Sequence, residues 1–299
     1  MVGDDVELDD EAAVIPRERR VQCMGPHGLH QMAYLEWGHP ANPNVLVCVH
    51  GLTRNGRDFD FLARYLASHY RVVCPDVVGR GQSDWLPVKA DYAIPTYVAD
   101  MVTLIARLDV PSVHWLGTSM GGLIGMVLAS LPGSPIQRLI LNDVGPMVTA
   151  ASIARIAEYV GQDPLFATLE EAEAYVRAVS VPFGDLTHAQ WRHLTDSAVK
   201  PVEEGFRFRY DPGLAEPFRK SPLVEDVSLW DVYDRITCPT LVVRGAESDL
   251  LLPETVTEMV RRGPRASLVE IPRVGHAPML LDDDQIRTVA DYLLSPGSK

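Results

Sequence analysis

The chain has 299 residues, of which 46% are hydrophobic, and it carries a formal net charge of −13 at pH 7. Nucleic acids and anionic membrane surfaces attract basic faces, so this charge argues against either as a partner. The acidic amino terminus lacks the apolar run of a secretory signal. The sequence also lacks a run of about 18 apolar residues, so we expect no membrane span. The length suits one large domain with an insertion, or two small domains.

The four cysteines, Cys23, Cys48, Cys74 and Cys238, do not have the spacing of a metal site. Cys48 and Cys74 lie inside apolar runs, where a free thiol acts as a small hydrophobe. This usage predicts a reduced, cytoplasmic environment. The sequence has neither a metal-ligand cluster nor a dinucleotide-binding fingerprint, so we expect no cofactor and no metal ligand.

The first half of the chain alternates between strand-like and helix-like segments. Residues 1–18 are expected to form a solvated acidic tail. Short, continuous apolar runs are typical of strands buried on both faces of a parallel sheet. In chain order, the predicted elements are a hairpin over about 20–38, a strand over Val45–Val49, a helix over Phe59–Ser68, a strand over Tyr70–Pro75 and a helix over Ile94–Leu108.

A strand-like run that starts at Val113 leads into the pattern G-x-S-x-G, formed by Gly117, Ser119 and Gly121. A helix-forming segment, Leu123 to Leu131, follows directly. Strand, tight turn and helix in succession are the context of a nucleophile elbow, in which the serine hydroxyl is exposed on a strained turn. The glycines leave room for that turn, and Ser119 is the candidate nucleophile.

The second half resumes the alternation only after a long interruption. From about Gly145 to Leu229 the chain contains helix-like segments and no strong buried-strand run, which predicts a helical insertion. The sequence therefore predicts an α/β fold with a mostly parallel sheet covered by helices on both faces. Around the insertion, the predicted elements are strands over Ile136–Asn142, Thr240–Gly245 and Ala266–Ile271 and helices over Glu254–Arg262 and Asp284–Leu294.

A serine hydroxyl needs a base to take its proton, and the base needs an acid to orient it. Catalytic groups collect at the carboxyl ends of parallel strands. His276 follows the last predicted strand and is the candidate base. Asp249 follows the strand before it, and the order Ser119, Asp249, His276 matches the order expected with this elbow.

The acid has two rivals at strand ends. Asp143 also follows a predicted strand, and Glu247 lies two residues before Asp249. Asp143 is followed by a Val-Gly-Pro turn and could serve only to cap that turn. We favour Asp249 and keep Asp143 as the alternative acid, because the loop of Asp249 immediately precedes the helix and strand that deliver His276.

An oxyanion hole needs two backbone N–H groups near the nucleophile. The amide of Met120, directly after Ser119, and the amide of Leu52, in the loop after an early central strand, are the candidate pair. For the substrate pocket, the candidates are His50 and Gly51 from that loop and the aromatic residues Trp191 and Phe206 from the insertion. The aromatic residues could equally serve to hold the insertion together.

Together these motifs resemble the α/β-hydrolase superfamily, in particular its serine esterases and C–C hydrolase-like members with a helical cap. The resemblance extends over about residues 30–295 and implies an eight-stranded, mostly parallel sheet. In this family the acid usually follows the seventh strand, which favours Asp249, although some relatives use the position after the sixth strand. The residues that carry the resemblance are Val49-His50-Gly51, Asp76 to Ser83, Gly117 to Gly122, Leu141-Asn142-Asp143, Gly245 with Asp249, and Gly275-His276.

The resemblance implies a division of the chain and a reaction. We expect an acidic tail over 1–18, a hydrolase core over 19–145 and 231–299, and a cap over 146–230. Epoxide hydrolases and haloalkane dehalogenases of this fold need a carboxylate at the elbow, and the serine at position 119 argues against those reactions.

The expected activity is hydrolysis of a small or medium carboxylic ester through an acyl-enzyme. A C–C bond, lactone or amide hydrolase with the same triad and a non-catalytic binding protein on the same fold are the alternatives. A small-molecule ester is the expected partner, and the sequence does not favour either a monomer or a homodimer.

Overall fold

The computed structural model describes residues 15–220 and 225–295. Eight strands form one central sheet in the order β1-β2-β4-β3-β5-β6-β11-β12. The eight-stranded sheet predicted from the family resemblance is confirmed. Its strands are β1 (Arg17–Gly25), β2 (Gly28–Trp37), β3 (Val45–Val49), β4 (Arg71–Pro75), β5 (Val113–Thr118), β6 (Ile136–Asn142), β11 (Thr240–Gly245) and β12 (Ser267–Ile271).

Within the sheet, the six neighbouring strands β4-β3-β5-β6-β11-β12 pair in parallel. The β1–β2 hairpin and the β2–β4 pair are antiparallel. The central strands consist almost entirely of buried apolar residues, as a sheet covered on both faces requires. Because β3, β5, β6, β11 and β12 run in the same direction, the loops that follow them meet at one edge of the sheet.

Helices cover both faces of the sheet and create two separate apolar cores. On one face, α2 and α3 pack with α8 and α9 around residues such as Trp115 and Leu139. On the other face, α1 and α10 pack around residues such as Leu46 and Ile140. The helices of the core are α1 (Asp60–Leu66), α2 (Ile94–Leu108), α3 (Met120–Ala129), α8 (Trp230–Tyr233), α9 (Pro253–Met259) and α10 (Asp283–Leu294).

Between β6 and β11 the chain forms the predicted helical insertion. Two short strands, β7 (Met147–Val148) and β10 (Val227–Ser228), pair antiparallel at its base. The insertion also contains the antiparallel hairpin of β8 (Val199–Val202) and β9 (Gly205–Phe208). Its helices are α4 (Ala150–Tyr159), α5 (Leu169–Val179), α6 (His188–Ala198) and α7 (Glu216–Lys220).

Two details differ from the sequence-based expectations. The strand β1 begins at Arg17, so the last residues of the predicted tail over 1–18 belong to the sheet, and residues 1–14 lie outside the described part of the chain. The hairpin of β8 and β9 was not predicted as a hairpin, because each strand has only four residues and none of the long apolar runs that identify a buried strand. None of the described helices is long and apolar enough to cross a membrane.

Candidate active site

Ser119 occupies a tight turn between β5 and α3. Its φ of 52° lies in the left-handed region, where a residue other than glycine is strained. The flanking glycines explain how the turn is accommodated. A Cβ at Gly117 would lie 2.2 Å from the Gly121 carbonyl oxygen, and a Cβ at Gly121 would lie 2.0 Å from the Val49 carbonyl oxygen. Neither position can take a side chain without moving the backbone, so the elbow depends on both glycines.

The structure brings Ser119, His276 and Asp143 together. The His276 Nε2 atom lies 3.0 Å from the Ser119 Oγ atom, and the His276 Nδ1 atom lies 2.7 Å from Asp143 Oδ2. With its proton on Nδ1, the imidazole donates to the carboxylate and Nε2 is free to accept from the serine hydroxyl. This chain of hydrogen bonds is the arrangement that activates a serine nucleophile.

Asp143 follows β6 and its side chain is completely buried. Its Oδ1 atom accepts the Gly245 N–H at 2.8 Å, and its Oδ2 atom accepts the Ser248 hydroxyl at 2.6 Å in addition to the His276 bond. A buried carboxylate is stable only when hydrogen-bond donors satisfy it, and three donors do so here. The carboxylate is therefore held in one orientation toward the imidazole.

The prediction that Asp249 orients His276 is wrong in this structure. The Asp249 side chain is 57% exposed and forms an ion pair with Arg155 of α4. Its neighbour Ser248 is buried instead, and its hydroxyl donates to Asp143 Oδ2 at 2.6 Å. Glu247, the other rival, is also exposed.

Two residues at strand ends connect the nucleophile to the base. The Asn142 carbonyl accepts the Ser119 N–H at 3.0 Å. The Asn142 side-chain amide donates to Thr118 Oγ1 at 3.0 Å and to the Pro278 carbonyl at 2.8 Å, two residues beyond His276. Asn142 thus fixes the end of β5 relative to the His276 loop. We did not predict this role, although the position of Asn142 at the end of a buried strand was a possible signal.

The two amides predicted for an oxyanion hole both lack an internal acceptor. Within residues 15–220 and 225–295, neither the Leu52 N–H nor the Met120 N–H donates a hydrogen bond to the protein. Met120 is the first residue of α3, whose amino-terminal N–H groups have no partner within the helix. Gly51 lies beside the nucleophile, because a Cβ built on it would lie 3.8 Å from the Ser119 Cβ atom.

The side chain of His50 does not line a pocket, contrary to our prediction. It is completely buried, and burial lowers the pKa of His50 from 6.5 to about 3, so the imidazole is neutral. Its Nδ1 atom lies 2.7 Å from the Gly51 carbonyl, to which it donates, and its Nε2 atom accepts the Val77 N–H at 2.9 Å. His50 is thus a structural residue beneath the loop that carries Leu52.

The two aromatic candidates from the insertion have packing partners. Trp191 is buried against Leu194 and Met279. Phe206 is part-buried and packs in a second cluster with Phe166 and Val199, where the two phenylalanine backbones also pair. These contacts support the alternative in which the aromatic residues hold the insertion together.

Two arginines flank Phe208 in and after β9, but neither contacts the nucleophile. Arg207 forms an ion pair with Asp163 at 2.7 Å. Arg209 donates from Nε to the Val199 carbonyl at 2.6 Å and lines a cavity of about 610 Å³. Among the described residues, the lining of that cavity includes neither Ser119 nor His276.

One buried group has the chemistry of metal ligands. Ligand atoms of Cys23, His30 and Asp100 lie within 4.8 Å of one another beneath the β1–β2 hairpin. His30 Nε2 lies 3.0 Å from Asp100 Oδ2, and burial raises the pKa of the Cys23 thiol to about 12. A hydrogen-bonded pair with a neutral thiol accounts for this geometry, and the expectation that no metal is bound stays a prediction.

The comparisons with known proteins agree with the geometry. Residues 46–291 match the model of the Alpha/beta hydrolase family, and the chain belongs to this family. A 3-hydroxybutyrate-oligomer hydrolase from Cupriavidus necator is 56% identical over 285 residues, which are 93% of this chain and 97% of that protein.

Two further proteins are similar to this chain, one in sequence and one in structure. Lipase 1 from Psychrobacter immobilis is 27% identical over 255 residues, which are 84% of this chain and 76% of the lipase. The crystal structure of an alpha/beta hydrolase from Novosphingobium aromaticivorans superposes with a TM-score of 0.83 and 35% identity, covering 93% of this chain and 98% of that one.

Proposed function

We propose that this protein is a serine hydrolase that cleaves the ester bonds of 3-hydroxybutyrate oligomers. The observation that carries the proposal is the continuous hydrogen-bonded line from Ser119 through His276 to the buried carboxylate of Asp143. The substrate class is supported by the 56% identity to a 3-hydroxybutyrate-oligomer hydrolase over nearly the whole of both chains.

In the first half-reaction, the Ser119 Oγ atom attacks the carbonyl carbon of the ester while its proton passes to His276 Nε2. The electron pair of the carbonyl π bond moves onto the carbonyl oxygen. The tetrahedral intermediate then collapses, the C–O bond to the alcohol breaks, and His276 gives its proton to the departing alkoxide. The acyl group remains as an ester of Ser119, and the product is a hydroxybutyrate unit or a shortened oligomer.

In the second half-reaction, water replaces the alcohol. His276 takes a proton from water as its oxygen attacks the acyl carbon, and it then returns the proton to the Ser119 oxygen as that bond breaks. Asp143 stabilises the imidazolium that forms in each half-reaction and holds the tautomer with the proton on Nδ1. The three donors to Asp143 keep its charge in place without a second carboxylate.

We assign the oxyanion hole to the backbone amides of Leu52 and Met120. The lack of an internal acceptor for either N–H within the described residues supports this assignment. Met120 also stands at the positive end of the α3 dipole, which favours negative charge. Both amides belong to the backbone, so we expect substitutions of their side chains to affect the rate less than displacement of the amides would.

Two further proposals concern the organisation and location of the protein. We propose that the insertion over 146–230 acts as a cap on the core formed by 19–145 and 231–299, supported by the contact of the Pro182 carbonyl with the Gly275 N–H at 2.7 Å, next to His276. A cytoplasmic location is supported by the four cysteines, which are all free.

The direct test measures hydrolysis of a linear 3-hydroxybutyrate trimer by the wild type and by Ser119→Ala, with the released 3-hydroxybutyrate quantified. We expect turnover by the wild type and a loss of several orders of magnitude in Ser119→Ala. A fluorophosphonate probe that labels Ser119 without any ester turnover would redirect the search to lactone, amide or C–C substrates. If Ser119 is not labelled and no ester is turned over, the remaining interpretation is a non-catalytic binding protein.

A further inference from the structure

Arg80 is a completely buried cation in the loop between β4 and α2. Its guanidinium donates from Nε to the Leu52 carbonyl at 2.8 Å and from Nη1 to the Val78 carbonyl at 2.7 Å. Its Nη2 atom lies 3.4 Å from the Met120 sulfur. One side chain therefore contacts both residues whose amides form the proposed oxyanion hole.

The charge of Arg80 is not balanced by a carboxylate. Within the described part of the chain, no Asp or Glu oxygen lies within 4.0 Å of its guanidinium, although an unpaired buried charge is costly. The guanidinium lies over the rings of Tyr97 and Tyr92, at 4.9 Å and 5.8 Å from the ring centroids. Carbonyl dipoles, a thioether and two aromatic faces thus replace the usual carboxylate.

The carbonyls before and after the Leu52 amide are both held by hydrogen bonds. The Gly51 carbonyl accepts from His50 Nδ1 at 2.7 Å and from the Arg54 N–H at 3.2 Å. Because a trans peptide is planar, the N–H of Leu52 points opposite to that carbonyl, away from His50. Arg80 holds the following carbonyl, that of Leu52, so the residue cannot rotate to redirect its N–H.

We infer that Arg80 is a positioning residue of the oxyanion hole, which connects its two halves and adds an uncompensated positive charge behind them. This inference rests on the proposed function. As negative charge develops on the carbonyl oxygen of the substrate, the fixed amides need no reorganisation, and the buried cation stabilises that charge at short range. The charge of Arg80 also reaches His50 in this loop, whose pKa is lowered mainly by burial and further by Arg80.

The test compares Arg80→Met with Arg71→Met as the matched control. Arg71 is another largely buried arginine, which pairs with Glu36 and donates to the Leu108 carbonyl, away from the proposed site. For Arg80→Met we expect kcat to fall by about 10-fold to 100-fold while KM changes by less than about threefold, because only the transition state carries the oxyanion. Arg71→Met should keep the wild-type kcat.

A second readout separates positioning from general packing. A trifluoromethyl ketone forms a tetrahedral oxyanion with a reactive serine, so its inhibition constant should rise in Arg80→Met by the same factor by which kcat/KM falls. Arg80→Lys keeps the charge but has only one nitrogen for three acceptors, and it should lose less than Arg80→Met. If Arg80→Met does not fold, Arg80→Lys alone provides the comparison of inhibition with kcat/KM.

The outcomes of the two proposals are distinct. Wild-type kcat in a folded Arg80→Met, or a fall in kcat/KM without weaker ketone inhibition, overturns the role of Arg80 and leaves the esterase proposal standing. A fall in kcat of equal size in Arg71→Met also overturns it. An absence of both ester turnover and ketone binding in the wild type contradicts the proposed function itself.

Discussion

The loops after β6 and β11 each carry an aspartate one to four residues beyond a buried strand, and the two side chains have opposite environments. Asp143 is completely buried, and three donors, one of them His276, hold its carboxylate. Asp249 is 57% exposed and is paired with Arg155. The two neighbouring loops thus have different roles. The loop after β6 supplies the carboxylate, and the loop after β11 supplies the Ser248 hydroxyl that donates to it. Position after a strand does not by itself identify the acid.

Replacing each aspartate by asparagine sharpens this comparison most strongly. Asp143→Asn keeps the shape but removes the charge that stabilises the imidazolium and favours the wrong tautomer of His276. We expect kcat for a p-nitrophenyl ester to fall by about 10⁴-fold. Asp249→Asn is the matched control and should stay within about threefold of the wild type. The reverse result would return the acid to the loop after β11.

The Ser248 hydroxyl provides the next largest effect. Ser248→Ala removes the donor to Asp143 Oδ2 and the acceptor for the Leu251 N–H at 3.1 Å. Removing one partner from a buried hydrogen bond costs about 1–3 kcal/mol, so we expect kcat to fall by about 10-fold. Ser130→Ala, which removes a hydroxyl bonded only within the end of α3, should leave kcat unchanged. Equal kinetics for the two variants would show that Asp143 does not need Ser248.

The contrast between buried and exposed groups extends to the pH dependence of stability. His50 stays neutral in the folded state down to about pH 3, whereas the unfolded chain takes up a proton near the ordinary pKa of 6.5. The contribution of His50 to stability is therefore present above about pH 6.5 and is lost as pH falls from 6.5 to 3. Burial raises the pKa of Asp76 to about 6, which acts in the opposite sense over part of this range.

Denaturant unfolding of the wild type and of His50→Gln at several pH values isolates this effect. Glutamine can donate to the Gly51 carbonyl and does not titrate, so the difference in unfolding free energy between the two chains should shrink as pH falls below 6.5. A difference that stays constant from pH 7 to pH 4 would contradict the neutral, buried state of His50.

The smallest effect is expected at the ion pair of Asp249 with Arg155. Both side chains are largely exposed, at 57% and 42%, and solvent screens such pairs. We expect Arg155→Ala to change the free energy of unfolding by less than about 1 kcal/mol, and 0.5 M salt to reduce even this difference. A larger, salt-independent loss would mean that the insertion depends on this pair for its packing.

Much of the site could be predicted from sequence because strong local constraints determine it. The Gly117, Ser119 and Gly121 pattern and the position of His276 after the last strand identified two residues that the structure brings to 3.0 Å. The choice of Asp249 over Asp143 was wrong, because both residues follow adjacent strands and their positions in the sequence do not show which side chain points toward His276. In the structure Asp143 has a φ of 55° and is buried against His276, whereas Asp249 is exposed.

The remaining errors concern residues whose partners are distant in sequence. His50 was assigned to the pocket because its loop approaches the elbow, but its ring points beneath that loop to the Val77 N–H, 27 residues away. In the sequence, Arg80 stood out only as part of Asp76 to Ser83, one of the segments that carry the family resemblance. Its contacts with Leu52 and Met120 depend on how β3, β4 and β5 align, which periodicity does not encode.

The most direct test of the central claim is detection of the acyl-enzyme. The wild type would be mixed with a linear 3-hydroxybutyrate trimer, quenched with acid within milliseconds, digested and analysed by mass spectrometry. We predict a peptide containing Ser119 that carries one or two 3-hydroxybutyryl units, and no such adduct in Ser119→Ala. Trimer hydrolysis at full rate by an enzyme that never carries an acyl group on Ser119 would contradict the account.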